Sequence, residues 1–177
     1  REQSMRRLLV AIVLAFATMT LSAPAQDMTG FSKQERNDTI RFAANNSLFV
    51  LYHEMGHLLI DQLKLPVLGR EEDAADNVAT WTLLNKRSDE AEQALEDSAQ
   101  GWVWSGVAYN SGGQESDFAA GHSLDKQRAY QIVCLMVGKD ETSYRPIANE
   151  YRMERERQDS CAWDYDMVNR SMRGLLD

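Results

Sequence analysis

The amino-acid sequence predicts a mainly α-helical fold in a single domain. Three observations carry that expectation: apolar residues recur at helical spacing over long proline-free stretches, stop and start signals separate those stretches, and runs alternating apolar with polar residues are scarce. With 177 residues, 44% hydrophobic and 26% charged, the chain has the size and balance of one globular unit. No internal repeat, low-complexity tract or linker signal divides it.

The first segment stands apart from the fold. Met5-Arg6-Arg7 and the apolar run from Leu8 to Leu21 have the layout of a secretory signal, and Ala23 and Ala25 fit cleavage before Gln26. The run is short for a transmembrane helix, and Arg1 to Ser4 read as translation upstream of a start at Met5. The expectation is therefore a signal peptide with an upstream extension over residues 1–25 and a domain over residues 26–177. The product would be exported to the periplasm or secreted, with no stable membrane span after cleavage. An uncleaved anchor is the alternative.

Helical elements follow in order. Residues 38–63 carry Ile40, Phe42, Phe49, Val50, Leu58, Leu59 and Leu63 without a break, and Leu65-Pro66 stops them. Residues 71–85 read as a second helix with acids in its first turn, where the helix dipole favours them. A third runs from Asp89 towards Tyr109 and ends at the loop Asn110-Ser111-Gly112-Gly113. Short strands within residues 102–120 are the one open β alternative. Ser123 is placed to cap a helix running to Val137, with Gly138 at the stop position. Residues 142–176 supply one or two more helices.

Charge narrows the function classes. The formal net charge is −8; removing Arg1, Arg6, Arg7 and Glu2 subtracts a net +2, leaving −10 for residues 26–177. No basic cluster stands free of acids, so nucleic acid is not an expected partner. The only two cysteines, Cys134 and Cys161, lie in the part expected to be exported, where one disulfide is the default and two free buried thiols the alternative.

The chemistry concentrates in His53-Glu54-Met55-Gly56-His57, an H-E-x-x-H motif inside the longest helical stretch. Residues four apart share a helix face, so both imidazoles can reach one ion. Glu54 projects beside that ion, as suits a general base. Gly56 costs helix stability and so points to close approach of a neighbouring element. A catalytic zinc takes a third protein ligand and keeps one position open, and Glu72 on the next helix is the candidate. Asp76, one turn on, can accept from the far nitrogen of a ligand histidine and fix its tautomer. Glu71 and Asp73 are rivals for the ligand role, but their one-turn partners are Ala75 and Asn77, so Glu71→Gln is expected to keep metal affinity and Glu72→Gln to lose it.

The stretches Phe49-Val50-Leu51-Tyr52-His53-Glu54-Met55-Gly56-His57 and Leu65-Pro66-Val67-Leu68-Gly69-Arg70-Glu71-Glu72-Asp73-Ala74-Ala75-Asp76 resemble a bacterial metallopeptidase family of unassigned substrate, related to the gluzincins. The likeness extends through His122-Ser123-Leu124-Asp125, Gln127-Arg128 and Cys134 to Cys161. The gluzincin third ligand is the glutamate that opens an E-x-x-x-D element, which corresponds to Glu72. The resemblance implies zinc-dependent hydrolysis of a peptide or protein substrate, with Glu54 moving the proton. An oxyanion donor is also needed. His122 is the first choice, with Tyr109 and Tyr130 behind it, while Arg128 is available to pair with an acid. Trp102, Trp104 and Tyr109 could wall a cleft, although core packing is the commoner use of such residues. The alternative function is a zinc-binding envelope protein with a binding or regulatory role and little turnover.

Overall fold

The computed structural model describes residues 29–175, and the expected signal segment, residues 1–25, lies outside them. Among the described residues seven helices follow one another: α1 Lys33–Leu63, α2 Glu71–Lys86, α3 Asp89–Ala108, α4 Glu115–Phe118, α5 Asp125–Lys139, α6 Glu141–Glu150 and α7 Arg155–Arg173. No strand occurs among the described residues, so residues 102–120 hold the end of α3 and the short α4 instead. None of these helices is long and apolar enough to cross a membrane.

The helical body begins at Asn37. Ahead of it, Ser32 and Glu35 form a reciprocal cap: the Ser32 amide donates to the Glu35 carboxylate at 2.7 Å and the Glu35 amide to the Ser32 hydroxyl at 3.2 Å. That cap starts α1 five residues before the apolar pattern does. At the other end Lys64 takes a left-handed conformation, φ 52°, which turns the chain into Pro66.

Helix α5 is the centre of the body. It packs against α2, α3, α6 and α7, and every residue from Ile132 to Val137 is buried. A helix apolar on all sides belongs in an interior. Gly138, expected to end this helix, continues it to Lys139. A Cβ there would lie 2.1 Å from the Cys161 carbonyl oxygen, so the missing side chain lets α7 approach. Cys134 and Cys161 are joined across the same contact, with their Cα atoms 5.1 Å apart. Ser123 does not cap α5; Leu124 holds that position, and the Ser123 hydroxyl is engaged elsewhere.

Helix α1 buries a narrow stripe: Phe49, His53, Gly56 and Ile60. Their spacing of four, three and four residues is one helix face. Phe49 is the part of that stripe in the hydrophobic core. Ile40, Val50, Leu58, Leu59 and Leu63, which belong to the apolar pattern that marks this helix in the sequence, are exposed. The inward face is taken up by an imidazole and a glycine, which leaves much of the apolar surface of the helix outside.

Candidate metal centre

The site forms where α1 meets the first turn of α2. Gly56 makes the approach possible, because a Cβ at this position would lie 2.9 Å from the Ala75 Cα. With α1 and α2 in contact there, Glu72 reaches both motif histidines. His53 Nε2 and His57 Nε2 are 3.1 Å apart, and each lies 3.2 Å from Glu72 Oε2. Three donor atoms thus form a nearly equilateral triangle. Ligands held at about 2.0–2.2 Å around a tetrahedral cation are about 3.3–3.6 Å apart, so the triangle matches one face of such a polyhedron to within a few tenths of an ångström. The donor set of two imidazoles and a carboxylate suits the same ion.

Each imidazole is oriented from behind by its own carboxylate. His53 Nδ1 is 2.8 Å from Asp76 Oδ1, and His57 Nδ1 is 2.9 Å from Glu71 Oε1. Donation from Nδ1 leaves the Nε2 lone pair directed at the triangle. Asp76 is itself gripped by Arg128, whose Nε and terminal nitrogen donate to its two oxygens at 2.7 and 2.8 Å. The guanidinium stacks over Trp102, 3.5 Å from the ring centroid. Burial pushes the Asp76 pKa up, but the hydrogen bonds from His53 and Arg128 and the guanidinium charge together outweigh it and hold Asp76 below the usual carboxylate range. The Glu71 hydrogen bond raises the His57 pKa, against the effect of burial and with help from Glu72.

Three consecutive acids in the first turn of α2 therefore have three partners. Glu71 holds His57, Glu72 reaches the triangle, and Asp73 accepts from the Ser123 hydroxyl at 2.8 Å and the Ser123 amide at 3.3 Å. Glu71 is more than a rival of Glu72: it lies 14 positions from His57, and spacing within α2 alone does not reveal a contact that crosses between helices. The carboxylate pattern Glu71-Glu72 after H-E-x-x-H was the available signal.

His122 joins the group, its Nε2 2.8 Å from Glu72 Oε2 and its ring nearly parallel to that of His53, with centroids 6.3 Å apart. The ligand atoms of His53, Glu72 and His122 all lie within 4.8 Å of one another. A cavity of ≈ 200 Å³ opens beside it, lined by Ser111, Asp117, Leu124, Asp125 and Arg128 among others. Glu54 is exposed next to His53. Tyr130 donates its hydroxyl to the Tyr151 carbonyl at 2.7 Å and serves the fold. Trp104 packs on Phe42, and Tyr109 is exposed at the end of α3.

No curated protein and no solved structure matches the chain. Residues 10–176 match the family DUF4344, which is described as "putative metallopeptidase". With that match running through all seven helices, the chain belongs to this metallopeptidase family.

Proposed function

We propose that this protein is an exported zinc peptidase in which His53, His57 and Glu72 hold the metal and Glu54 is the general base. The observation that carries the reading is the 3.1, 3.2 and 3.2 Å triangle of donor atoms, assembled from two helices and braced from behind on both histidines. A bound zinc supplies a water of lowered pKa and polarises the scissile carbonyl. Glu54, adjacent to His53 and exposed, takes the proton of the attacking water and returns it to the leaving amine. His122 stands on the same side as Glu72 and donates to the oxyanion that develops on the substrate. Asp76 and Glu71 keep both ligand rings in the tautomer that leaves Nε2 free. Residues 26–177 form the working domain and residues 1–25 direct its export to the periplasm or beyond.

The test is metal content followed by turnover. Protein never exposed to chelator is expected to carry one zinc per chain, and Glu54→Gln is expected to keep that zinc while cleavage of an unfolded protein falls by a factor on the order of 10²–10⁴. Equal cleavage by the variant and the parent would remove Glu54 from the mechanism. Zinc far below one per chain would remove the metal.

A further inference from the structure

The His122 ring lies closer to Glu72 than either motif histidine does: 2.8 Å against 3.2 Å. Its imidazole nitrogen is thus a donor atom at the edge of a ligand set, in a place where a catalytic site ordinarily keeps a position open for water or substrate.

This residue is tied to the fold through its backbone, whereas its ring has Glu72 as its close polar contact. The His122 carbonyl accepts from Arg70 at 3.2 Å, and Ser123, the next residue, is held through both its amide and its hydroxyl by Asp73. Arg70 precedes α2 and Asp73 lies in its first turn, so the loop that carries His122 is fastened to the element that carries Glu72. The imidazole itself is 48% exposed, and it also lines the adjacent cavity, which none of His53, His57 and Glu72 lines. Rotation about its side-chain bonds can move Nε2 out of the ligand set while the backbone stays fixed.

Resting on the metallopeptidase reading, we propose that His122 is a displaceable fourth ligand: it completes the coordination of the metal at rest and yields its position to water or substrate. The exchange is one lone pair for another, with no change in oxidation state. The backbone contacts of residues 122 and 123 keep a displaced ring tethered beside the site, so its N–H can donate to the oxyanion and the two roles follow one another in a single turnover. The resting protein is then a closed site rather than an open one.

Cobalt(II) reports this directly, because its visible ligand-field bands depend on the identity and number of the donors. The full chain would be loaded with cobalt(II) to saturation as wild type, His122→Ala and His122→Asn, with circular dichroism confirming helix content. Both variants are expected to shift the bands. Azide is expected to bind the cobalt of the variants about tenfold more tightly than that of wild type, which must first displace the ring. His122→Asn distinguishes ligation from a mere hydrogen bond, since its amide can still donate to Glu72 while the imidazole nitrogen is gone from the donor set, so a shift of the bands in this variant reports ligation. Superimposable bands for all three proteins at saturation would overturn the proposal while leaving the three-ligand site intact. Failure of wild type to bind one cobalt or zinc per chain would instead overturn the metallopeptidase reading beneath it.

Discussion

Replacing Gly56 by alanine tests the geometry on which the centre depends. The added methyl would sit 2.9 Å from the Ala75 Cα, 3.2 Å from the Ala75 Cβ and 3.2 Å from the Ala75 carbonyl oxygen. The first distance involves backbone, so it cannot be relieved by a side-chain rotation. Ordinary contact begins near 3.4 Å, which requires α1 and α2 to separate by roughly half an ångström if the methyl is to fit. Two terms of opposite sign follow for stability. Alanine improves the helix by about 1 kcal/mol, and overpacking costs about 1–3 kcal/mol, for a net loss of about 0–2 kcal/mol. In a domain of this size that lowers Tm by up to about 8 °C in chelator. The metal is affected as well, because the same separation shifts the first turn of α2, and Glu72 with it, relative to both histidines. Zinc affinity is expected to fall about 10–100-fold, comparable to loss of a residue that orients a ligand. The assay is thermal unfolding with and without zinc, together with competition against a chelator of known affinity. A Tm above that of wild type, with unchanged zinc affinity, would refute the close-approach argument.

Glu72→Gln is expected to abolish tight zinc binding, whereas Glu71→Gln should weaken it by up to about 10-fold, since its neutral amide oxygen is a poorer acceptor for His57 Nδ1 than a carboxylate; competition titrations rank them, and equal losses would deny Glu72 its separate role. Asp76→Asn leaves the buried Arg128 without its counter-charge and is expected to cost about 3–5 kcal/mol in urea unfolding of chelated protein. Because the folded Asp76 pKa is depressed, its contribution is present above the unfolded carboxylate value, about 3.9, and is lost as pH falls through the folded value. The stability of the Asn variant should accordingly vary less steeply with pH below 4 than that of wild type, and parallel curves would contradict the assignment. Changing both Cys134 and Cys161 to serine removes a link across 27 positions and should cost about 3–4 kcal/mol, read from the denaturant midpoint.

The helices and the motif were legible because both depend on local spacing. Residues four apart share a face in any α-helix, so His53 and His57 pair on spacing alone, and Pro66 marks the end of the helix that bears them. The carboxylate that joins them, Glu72, and the brace on His53, Asp76, followed from one-turn spacing within α2. Contacts between separate helices were not legible in the same way. Glu71 looks from spacing like a rival of Glu72 but faces His57, Ser123 has the type of a cap but ties a loop to Asp73, and Gly138 has the type of a stop but admits α7. In each case the residue type was informative and the partner was supplied by packing. The exposure of Leu58 and Leu63 has the same origin, since nothing in an apolar period says which stripe will be covered.

The arrangement of acids on α2 has a consequence for how the sequence can change. Glu71, Glu72 and Asp73 point in directions about 100° apart, and the face holding Ala75, Val78, Ala79 and Leu83 fixes the rotation of the helix against the body. What assigns each carboxylate to its partner is therefore phase. A single residue inserted or deleted between Asp73 and Ala75 would turn all three acids away from their partners at once, even though every donor survived in the sequence. A change of length at residues 64–70 leaves that phase untouched and asks only that the connecting turn still reach. Tolerance to insertion is thus expected to fall sharply on crossing into the first turn of α2, at a boundary set by helical pitch rather than by distance from the metal.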